Sequence, residues 1–111
     1  MIPRNAFPPD LQRLLPLTPA VFFVLFSLSD GEKHGYAIME DIQRFADVRL
    51  GPGTLYGAIT RLEERGLVRA VQSGDRRQPY RITAAGKRHL HDRLSGLDVI
   101  VRTGLRRLRE A

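Results

Sequence analysis

The 111-residue chain has no cysteine, no tryptophan and no long apolar run. The lack of cysteine excludes disulfide bonds and thiolate metal sites. Residues 21–28 are apolar except for Ser27, but this run is far shorter than the roughly 20 residues that a membrane-spanning helix needs. The first ten residues, MIPRNAFPPD, lack the apolar core of a signal peptide, so we expect a cytoplasmic protein.

The sequence also lacks the motifs of common enzyme classes. It has no GxSxG motif, no phosphate-binding lysine after residues 51–53 and no carboxylate pair in an apolar setting. Two of its three histidines, His89 and His91, are two positions apart on a predicted helix and do not share a face. We therefore predict no catalytic activity, no metal site and no cofactor.

Positive charge is abundant. Eighteen Lys and Arg residues against twelve Asp and Glu residues give a formal net charge of +6. This excess favours a polyanionic partner such as nucleic acid. Sixteen of the eighteen basic residues are arginine, which suits bidentate contacts with phosphate or guanine, although biased codon usage produces the same preference.

Residues 51–66, GPGTLYGAITRLEERG, have the pattern of a capped amphipathic helix. Pro52 suits a first helical turn and Gly66 suits a left-handed end, so the predicted helix runs from about Pro52 to Arg65. One face is apolar at helical spacing and should pack on a core: Leu55, Ala58, Ile59 and Leu62. The other face carries small, hydroxyl and charged residues that allow close approach to another surface: Gly53, Tyr56, Gly57, Thr60, Arg61, Glu63 and Glu64.

A basic hairpin follows this helix. Residues 67–71 and 80–83 read as short strands, and the turn-rich segment between them carries Arg76 and Arg77. This order of elements, a helix pair, a helix with a small-residue face and a basic hairpin, is typical of a winged helix-turn-helix. In that fold the second helix of the helix-turn-helix, here the predicted helix of residues 52–65, enters the major groove. The predicted fold class is therefore mostly α with a small β-hairpin, followed by a C-terminal dimerisation helix.

Two helices precede this motif. Thr18 and Pro19 mark the start of the first, which is apolar nearly all round and needs cover from its own core and from a partner subunit. Residues 29–35 form a polar loop. A second helix then begins near Tyr36. One of its sides should pack on the first helix, because it carries apolar residues at helical spacing: Ile38, Ile42 and Phe45, with Tyr36 and Met39 close by. Val48 and Leu50 form a weakly predicted third strand beside the hairpin.

The C-terminal segment has an approximate heptad pattern. Thr83 is a plausible cap, and the helix is interrupted by Gly96 and Gly104, each costing about 1 kcal/mol of helix propensity. We name its predicted apolar stripe the leucine seam: Leu90, Leu94, Leu97, Val101 and Leu108. The seam is expected to pair with a second copy, the alternative being that it folds back on its own domain. The predicted organisation is an N-terminal arm with a possible short helix (1–16), a winged helix-turn-helix (17–83) and a dimerisation helix (84–111).

Three segments resemble the PadR family of bacterial transcriptional regulators: HGY at 34–36, LGPGTLYGAITRLEERGLV at 50–68 and YRITAAGKRHL at 80–90. The resemblance implies a homodimer that represses transcription by occupying an operator, often until a small molecule binds. It is closest to the short form with one C-terminal dimerisation helix. Some relatives stack flat aromatic ligands on tryptophan, which this chain lacks.

On this reading, double-stranded DNA is the partner. The predicted DNA-binding residues are His34, Tyr36, Gly53, Thr54, Tyr56, Gly57, Thr60, Arg61, Arg76 and Arg77. Arg61 is the leading candidate for a base or phosphate contact, its alternative being an ion pair with a nearby glutamate. Gly53 and Thr54 present helix N-terminal amides to phosphate, and the hairpin arginines add salt-dependent affinity. The predicted dimerisation residues are the leucine seam with Phe22 and Phe26.

Two further possibilities stay open at this stage. The winged helix could be a protein-interaction module without sequence-specific DNA binding, its basic charge being incidental. A small apolar effector could enter a cavity lined by Phe22, Phe26 and Leu97, although these residues equally suit plain interface packing.

Overall fold

The computed structural model describes residues 17–74 and 76–111, which form four α-helices and a three-stranded antiparallel sheet. The predicted arm and short helix of residues 1–16 lie outside the described residues. In chain order the elements are α1 (Pro19–Ser27), a 3-10 turn (Leu28–Asp30), β1 (Lys33–His34), α2 (Gly35–Ala46), α3 (Pro52–Glu64), β2 (Val68–Ala70), β3 (Pro79–Ile82) and α4 (Ala84–Glu110).

The helix boundaries follow from the predicted capping residues. The Thr18 hydroxyl accepts a hydrogen bond from the Val21 amide at 3.4 Å, and the Thr83 hydroxyl accepts one from the Gly86 amide at 3.0 Å. Each bond satisfies an amide that has no partner within its helix. Gly66, with a φ of 71°, turns the chain out of α3 in the left-handed conformation that favours glycine.

The hydrophobic core is built around α1. Its Val24, Leu25 and the following Leu28 have no exposed surface. They pack with the buried faces of α2 and α3 and with one side of the sheet: Ile38, Ile42, Leu55, Ala58, Ile59, Leu62, Val68 and Ile82. Full burial of a Leu or Ile side chain stabilises the fold by roughly 1.5–3 kcal/mol. This core fixes the directions of α2 and α3, and it confirms the predicted apolar face of α3.

The predicted third strand at Val48 and Leu50 is wrong. The strand order is β1-β3-β2, and the third strand is β1, whose Lys33 and His34 face Tyr80 and Pro79 of β3. Val48 and Leu50 instead pack, partly buried, against the core, after Asp47 has ended α2 in the left-handed conformation. The edge of the sheet is therefore formed by two residues of the predicted polar loop. The hairpin itself is confirmed, with Val68, Arg69 and Ala70 facing Ile82, Arg81 and Tyr80.

Two predicted packing roles also differ from the structure. Tyr36 is not among the residues that pack against the core and is 63% exposed, so it lies off the buried face of α2 formed by Ile38 and Ile42. Leu90 is only 4% exposed and belongs to the core, so it is not on the open part of the leucine seam. Phe45, in contrast, contacts α1 as predicted, with its ring 4.7 Å from that of Phe26 between centroids.

Helix α4 begins inside the domain and then leaves it. Its buried residues are Gly86 and Leu90, both in its first two turns. At Gly86 the helix approaches the chain after α3 so closely that a Cβ atom would lie 2.1 Å from the Leu67 carbonyl oxygen. Beyond Leu90, most of the 27-residue helix is exposed, including all of its large apolar residues except the half-buried Leu97. Within the described ranges, none of the helices is both long enough and apolar enough to span a bilayer.

Candidate nucleic-acid interface

The outer face of α3 is open and carries the side chains expected there. Tyr56, Gly57, Thr60 and Arg61 are all exposed. The Thr60 hydroxyl donates to the Tyr56 carbonyl oxygen at 2.9 Å, so it can still accept a hydrogen bond from another molecule but its proton is engaged. In the described part of the chain no carboxylate pairs with Arg61, which leaves its guanidinium available for an external acceptor. The predicted alternative, an ion pair with a neighbouring glutamate, is absent from these residues.

The N-terminus of α3 presents backbone amides. Its cap residue is Gly51, which has no side chain to occupy them, and the first intrahelical bond runs from the Leu55 amide to the Gly51 carbonyl at 3.0 Å. The amides of Gly53 and Thr54 precede that bond and point out of the helix end. Exposed amides at the positive end of a helix dipole attract phosphate.

Tyr56 links α3 to the start of α2. A Cβ atom at Gly35 would lie 2.4 Å from the Tyr56 hydroxyl oxygen and 2.9 Å from the adjacent ring carbon. The tyrosine ring therefore lies against a position that only glycine can occupy without displacing it, while about half of the Tyr56 surface stays exposed. The hydroxyl is thereby placed at the start of α2, beside Gly35.

The hairpin of β2 and β3, with the loop that connects them, forms the wing and brings Arg76 and Arg77 to the same side. The Gln78 amide group donates to the carbonyl oxygens of Val71 and Pro79 at 2.8 Å, which closes the base of the loop between β2 and β3. Beyond this closure Arg76 and Arg77 are exposed. One Arg77 terminal nitrogen lies 3.1 Å from Nε2 of His34, although the two residues are 43 positions apart. The structure thus brings the wing close to the start of α2.

Other basic residues near this surface have structural roles. Lys33 donates to the Ser27 carbonyl oxygen at 2.5 Å and forms an ion pair with Asp30, which lowers the pKa of that carboxyl group through hydrogen bonding and charge attraction. Arg81 pairs with Glu32. Neither cation is free to meet phosphate without breaking these contacts.

One further basic residue on this side is not indicated by any sequence pattern. Arg49 is exposed just before α3 and lines a cleft of about 510 Å³ with Tyr36 and Gln43. A single arginine in a connecting segment has no periodicity or motif of its own. Its proximity to the start of α3 was the only signal that could have identified it.

The predicted dimerisation residues fall into two groups. On α1 and α2, the rings of Phe22, Phe23, Phe26 and Phe45 form a partly exposed cluster, with neighbouring centroids 4.7–6.2 Å apart. The Arg93 guanidinium of α4 lies 6.0 Å from the centre of the Phe22 ring and covers one side of this cluster. On α4, Leu94 is 38% exposed, Val101 55% and Leu108 76%, whereas Leu97 is half-buried.

Comparison with known proteins places this geometry among transcription factors. A model of the transcriptional regulator PadR-like family matches residues 24–92. The chain is 34% identical over 82 residues to the transcriptional regulator Rv3488 of Mycobacterium tuberculosis, covering 71% of this chain and 76% of that protein. It is 45% identical over 83 residues to an uncharacterised 37.1 kDa protein in transposon TN4556 of Streptomyces fradiae. That match covers 69% of this chain but only 24% of the Streptomyces protein.

Solved structures share the fold. A PadR family transcription regulator from Clostridium difficile R20291 superposes with a TM-score of 0.70 at 24% identity, over 78% of this chain and 94% of the other. Bacillus subtilis PadR, solved in complex with operator DNA, superposes with a TM-score of 0.58 at 25% identity, over 71% of this chain and 48% of that one. The relatives with assigned roles are regulators and not enzymes.

Proposed function

Because this chain belongs to the PadR-like family of transcriptional regulators, we propose that it binds DNA sequence-specifically as a homodimer and represses the genes beside its operator. The observation that carries this proposal is the shared exposure of the small-residue face of α3 and the arginine-bearing wing on one side of the domain. A face without bulky side chains can enter the major groove, and a guanidinium there can read guanine.

The proposed contacts divide into two kinds. Arg61, with Thr60 beside it, reads base edges from α3. Backbone and side-chain donors hold phosphates and fix the position of the domain on the duplex. The proposed phosphate contacts are His34, Tyr36, Gly53, Thr54, Tyr56, Arg76 and Arg77, with Gly57 admitting the DNA backbone close to α3.

We assign residues 17–83 to DNA binding and residues 84–111 to dimerisation. The exposed part of the leucine seam supports this assignment, because Leu94, Val101 and Leu108 lie along a helix that leaves the domain with its apolar residues uncovered. Large apolar side chains in a heptad-like series are typical of a helix that pairs with another. Two identical subunits related by a twofold axis require a roughly palindromic operator, with half-sites about one helical turn or a multiple apart.

The aromatic cluster of α1 extends this proposal to control of binding. Phe22 and Phe26 are partly exposed next to α4, where a small apolar effector could lie between these rings and Leu97 of the paired helices. A compound held between these side chains would change the angle between the two DNA-binding domains. An apolar compound that raises the melting temperature and weakens operator binding supports this control, whereas plain interface packing predicts neither effect.

Selection of bound fragments from random-sequence DNA, followed by electrophoretic shift of the selected duplex in a salt series, tests the proposed function. We expect one enriched, roughly palindromic sequence whose binding survives nonspecific competitor and weakens steeply with salt. A protein-interaction module would enrich no sequence, and this result would contradict the proposal.

A further inference from the structure

His34 caps α2 in a way that fixes which of its ring nitrogens carries a proton. Its Nδ1 atom accepts a hydrogen bond from the Ala37 amide at 3.3 Å. A neutral imidazole has one donor and one acceptor nitrogen, so an accepting Nδ1 requires the proton to be on Nε2. In the capped structure, Nε2 of His34 is therefore a donor.

The neighbour of this donor is another donor. A terminal nitrogen of Arg77 lies 3.1 Å from Nε2 of His34. Guanidinium groups stay protonated and have no acceptor atom, so the two nitrogens cannot hydrogen-bond to each other while His34 caps α2. Within the described residues no carboxylate pairs with Arg77. Two donors from different elements thus converge on one place, and the described residues put no acceptor between them.

We infer that His34 and Arg77 together bind a single DNA phosphate, which locks the wing to the start of α2 when the protein is on its operator. A phosphate group accepts hydrogen bonds from both donors at once. Its negative charge also supplies the anionic partner that Arg77 does not have among the described residues. The inference deepens the proposed function and rests on it. It goes further by making one phosphate a shared ligand of two elements, so that the wing is positioned by the helix-turn-helix and not only by charge.

The surroundings of the pair favour an anion. His34 sits at the positive end of the α2 dipole. The Tyr56 hydroxyl lies beside Gly35, the next residue, and can donate to the same group. The closest acidic residue on this loop, Glu32, is already paired with Arg81. Among residues 17–74 and 76–111, the side chains at this corner are therefore mainly hydrogen-bond donors.

A double-mutant cycle on the selected operator tests the shared phosphate. His34→Asn keeps a side-chain acceptor for the cap, since asparagine is a favourable N-cap residue, but removes the Nε2 donor. Arg77→Gln removes the charged partner, and Arg76→Gln is the matched control on the same loop. We expect each of H34N and R77Q to weaken binding about tenfold, as for a hydrogen bond to a charged group. The double variant should lose clearly less than the product of the two losses, whereas H34N and R76Q should multiply.

Two further measurements identify the ligand and the tautomer. Operators with one neutral methylphosphonate at each position in turn should reveal one position where the wild type loses affinity and where both H34N and R77Q lose clearly less. Nitrogen-15 NMR of the free protein should show the proton of His34 on Nε2. A proton on Nδ1, or independent losses for H34N and R77Q on an operator that the wild type binds, would overturn the inference. A wild type that binds no DNA would instead contradict the proposed function.

Discussion

The ring of Tyr56 in α3 lies on Gly35 at the start of α2, with the hydroxyl oxygen only 2.4 Å from where a Cβ atom would be. The contact joins the two helices of the helix-turn-helix near their N-terminal ends. It makes the absence of a side chain at residue 35 a condition for the placement of the tyrosine hydroxyl.

Gly35→Ala should therefore weaken operator binding without unfolding the domain. The clashing atoms belong to the far end of a half-exposed side chain, so the tyrosine can swing outward, and alanine is itself a good helix residue. We expect the free energy of unfolding to change by less than about 1 kcal/mol. In a Tyr56→Ala background the same glycine substitution should have no further effect on affinity. An equal loss in both backgrounds would show that the glycine acts in another way.

Arg61 and Arg76 should differ in what they contribute to DNA binding. Arg61→Ala should cost about 1–3 kcal/mol and relax the preference for one base position, because its proposed contact is a base edge. Arg76→Gln should weaken all sequences about equally and lower the slope of log affinity against log salt by about 1. Titrations of the operator and of its single-base variants at several salt concentrations separate the two effects. If Arg61→Ala reduced affinity uniformly, its role would be a phosphate contact.

Two glycines of α4 should respond oppositely to alanine. Gly86→Ala places a methyl group against the Leu67 carbonyl and the Ile82 side chain, neither of which can move freely, so we expect destabilisation of about 1–3 kcal/mol. Gly96→Ala meets open space and should stabilise the helix by about 1 kcal/mol. Urea unfolding at one fixed protein concentration measures both changes, since the stability of a dimer depends on concentration. Similar effects for the two would contradict the close approach at Gly86.

Folding stability should fall in mild acid because of His89. Burial of this side chain and, secondarily, the positive charge of Arg65 lower its pKa in the folded protein; Asp92 opposes this, and Arg93 adds to it. The folded state then binds the proton less well than the unfolded chain does. The stabilising contribution is complete above the unfolded pKa of about 6.5 and is lost as pH falls through the folded value. His89→Gln should reduce the change in the free energy of unfolding between pH 7 and pH 5. His91→Gln, at an exposed histidine, is the control. An unchanged slope in H89Q would contradict this assignment.

Much of this fold could be predicted from residues close together in sequence. The spacing of Leu55, Ala58, Ile59 and Leu62 predicts the buried face of α3, and the hydroxyls of Thr18 and Thr83 predict two helix starts. Strand β1 could not be predicted, because two residues have no measurable alternation and pair only where β3 has an open edge. A leucine at heptad spacing packs equally well on its own core or on a partner helix. The heptad spacing of Leu90 therefore does not distinguish a core position from a position on the leucine seam.

The candidate site was only partly predictable for a similar reason. Exposure of Tyr56, Thr60 and Arg61 follows from the helical period of α3. The pairs Gly35 with Tyr56 and His34 with Arg77 join residues 21 and 43 positions apart. No local pattern contains such contacts, since they depend on how α2, α3 and the wing pack together.

Dimerisation through α4 should depend on which face of the helix is changed. Val101 lies on the leucine seam, whereas Val99, equally exposed, is two positions away and points to another side. We expect Val101→Glu to give monomers at micromolar concentration and to lose operator binding. Val99→Glu should remain a dimer and bind as the wild type does. Light scattering of the free proteins and electrophoretic shift of the selected operator measure the two properties.

The mass of the protein–DNA complex, measured by light scattering on the selected operator, tests the central claim most directly. If two subunits bind one palindromic site together, the complex contains one duplex and two protein chains. The wild type and V99E should form this complex, and V101E should not. A stable complex with a single chain on an asymmetric site, or no complex with any selected DNA, would contradict the account.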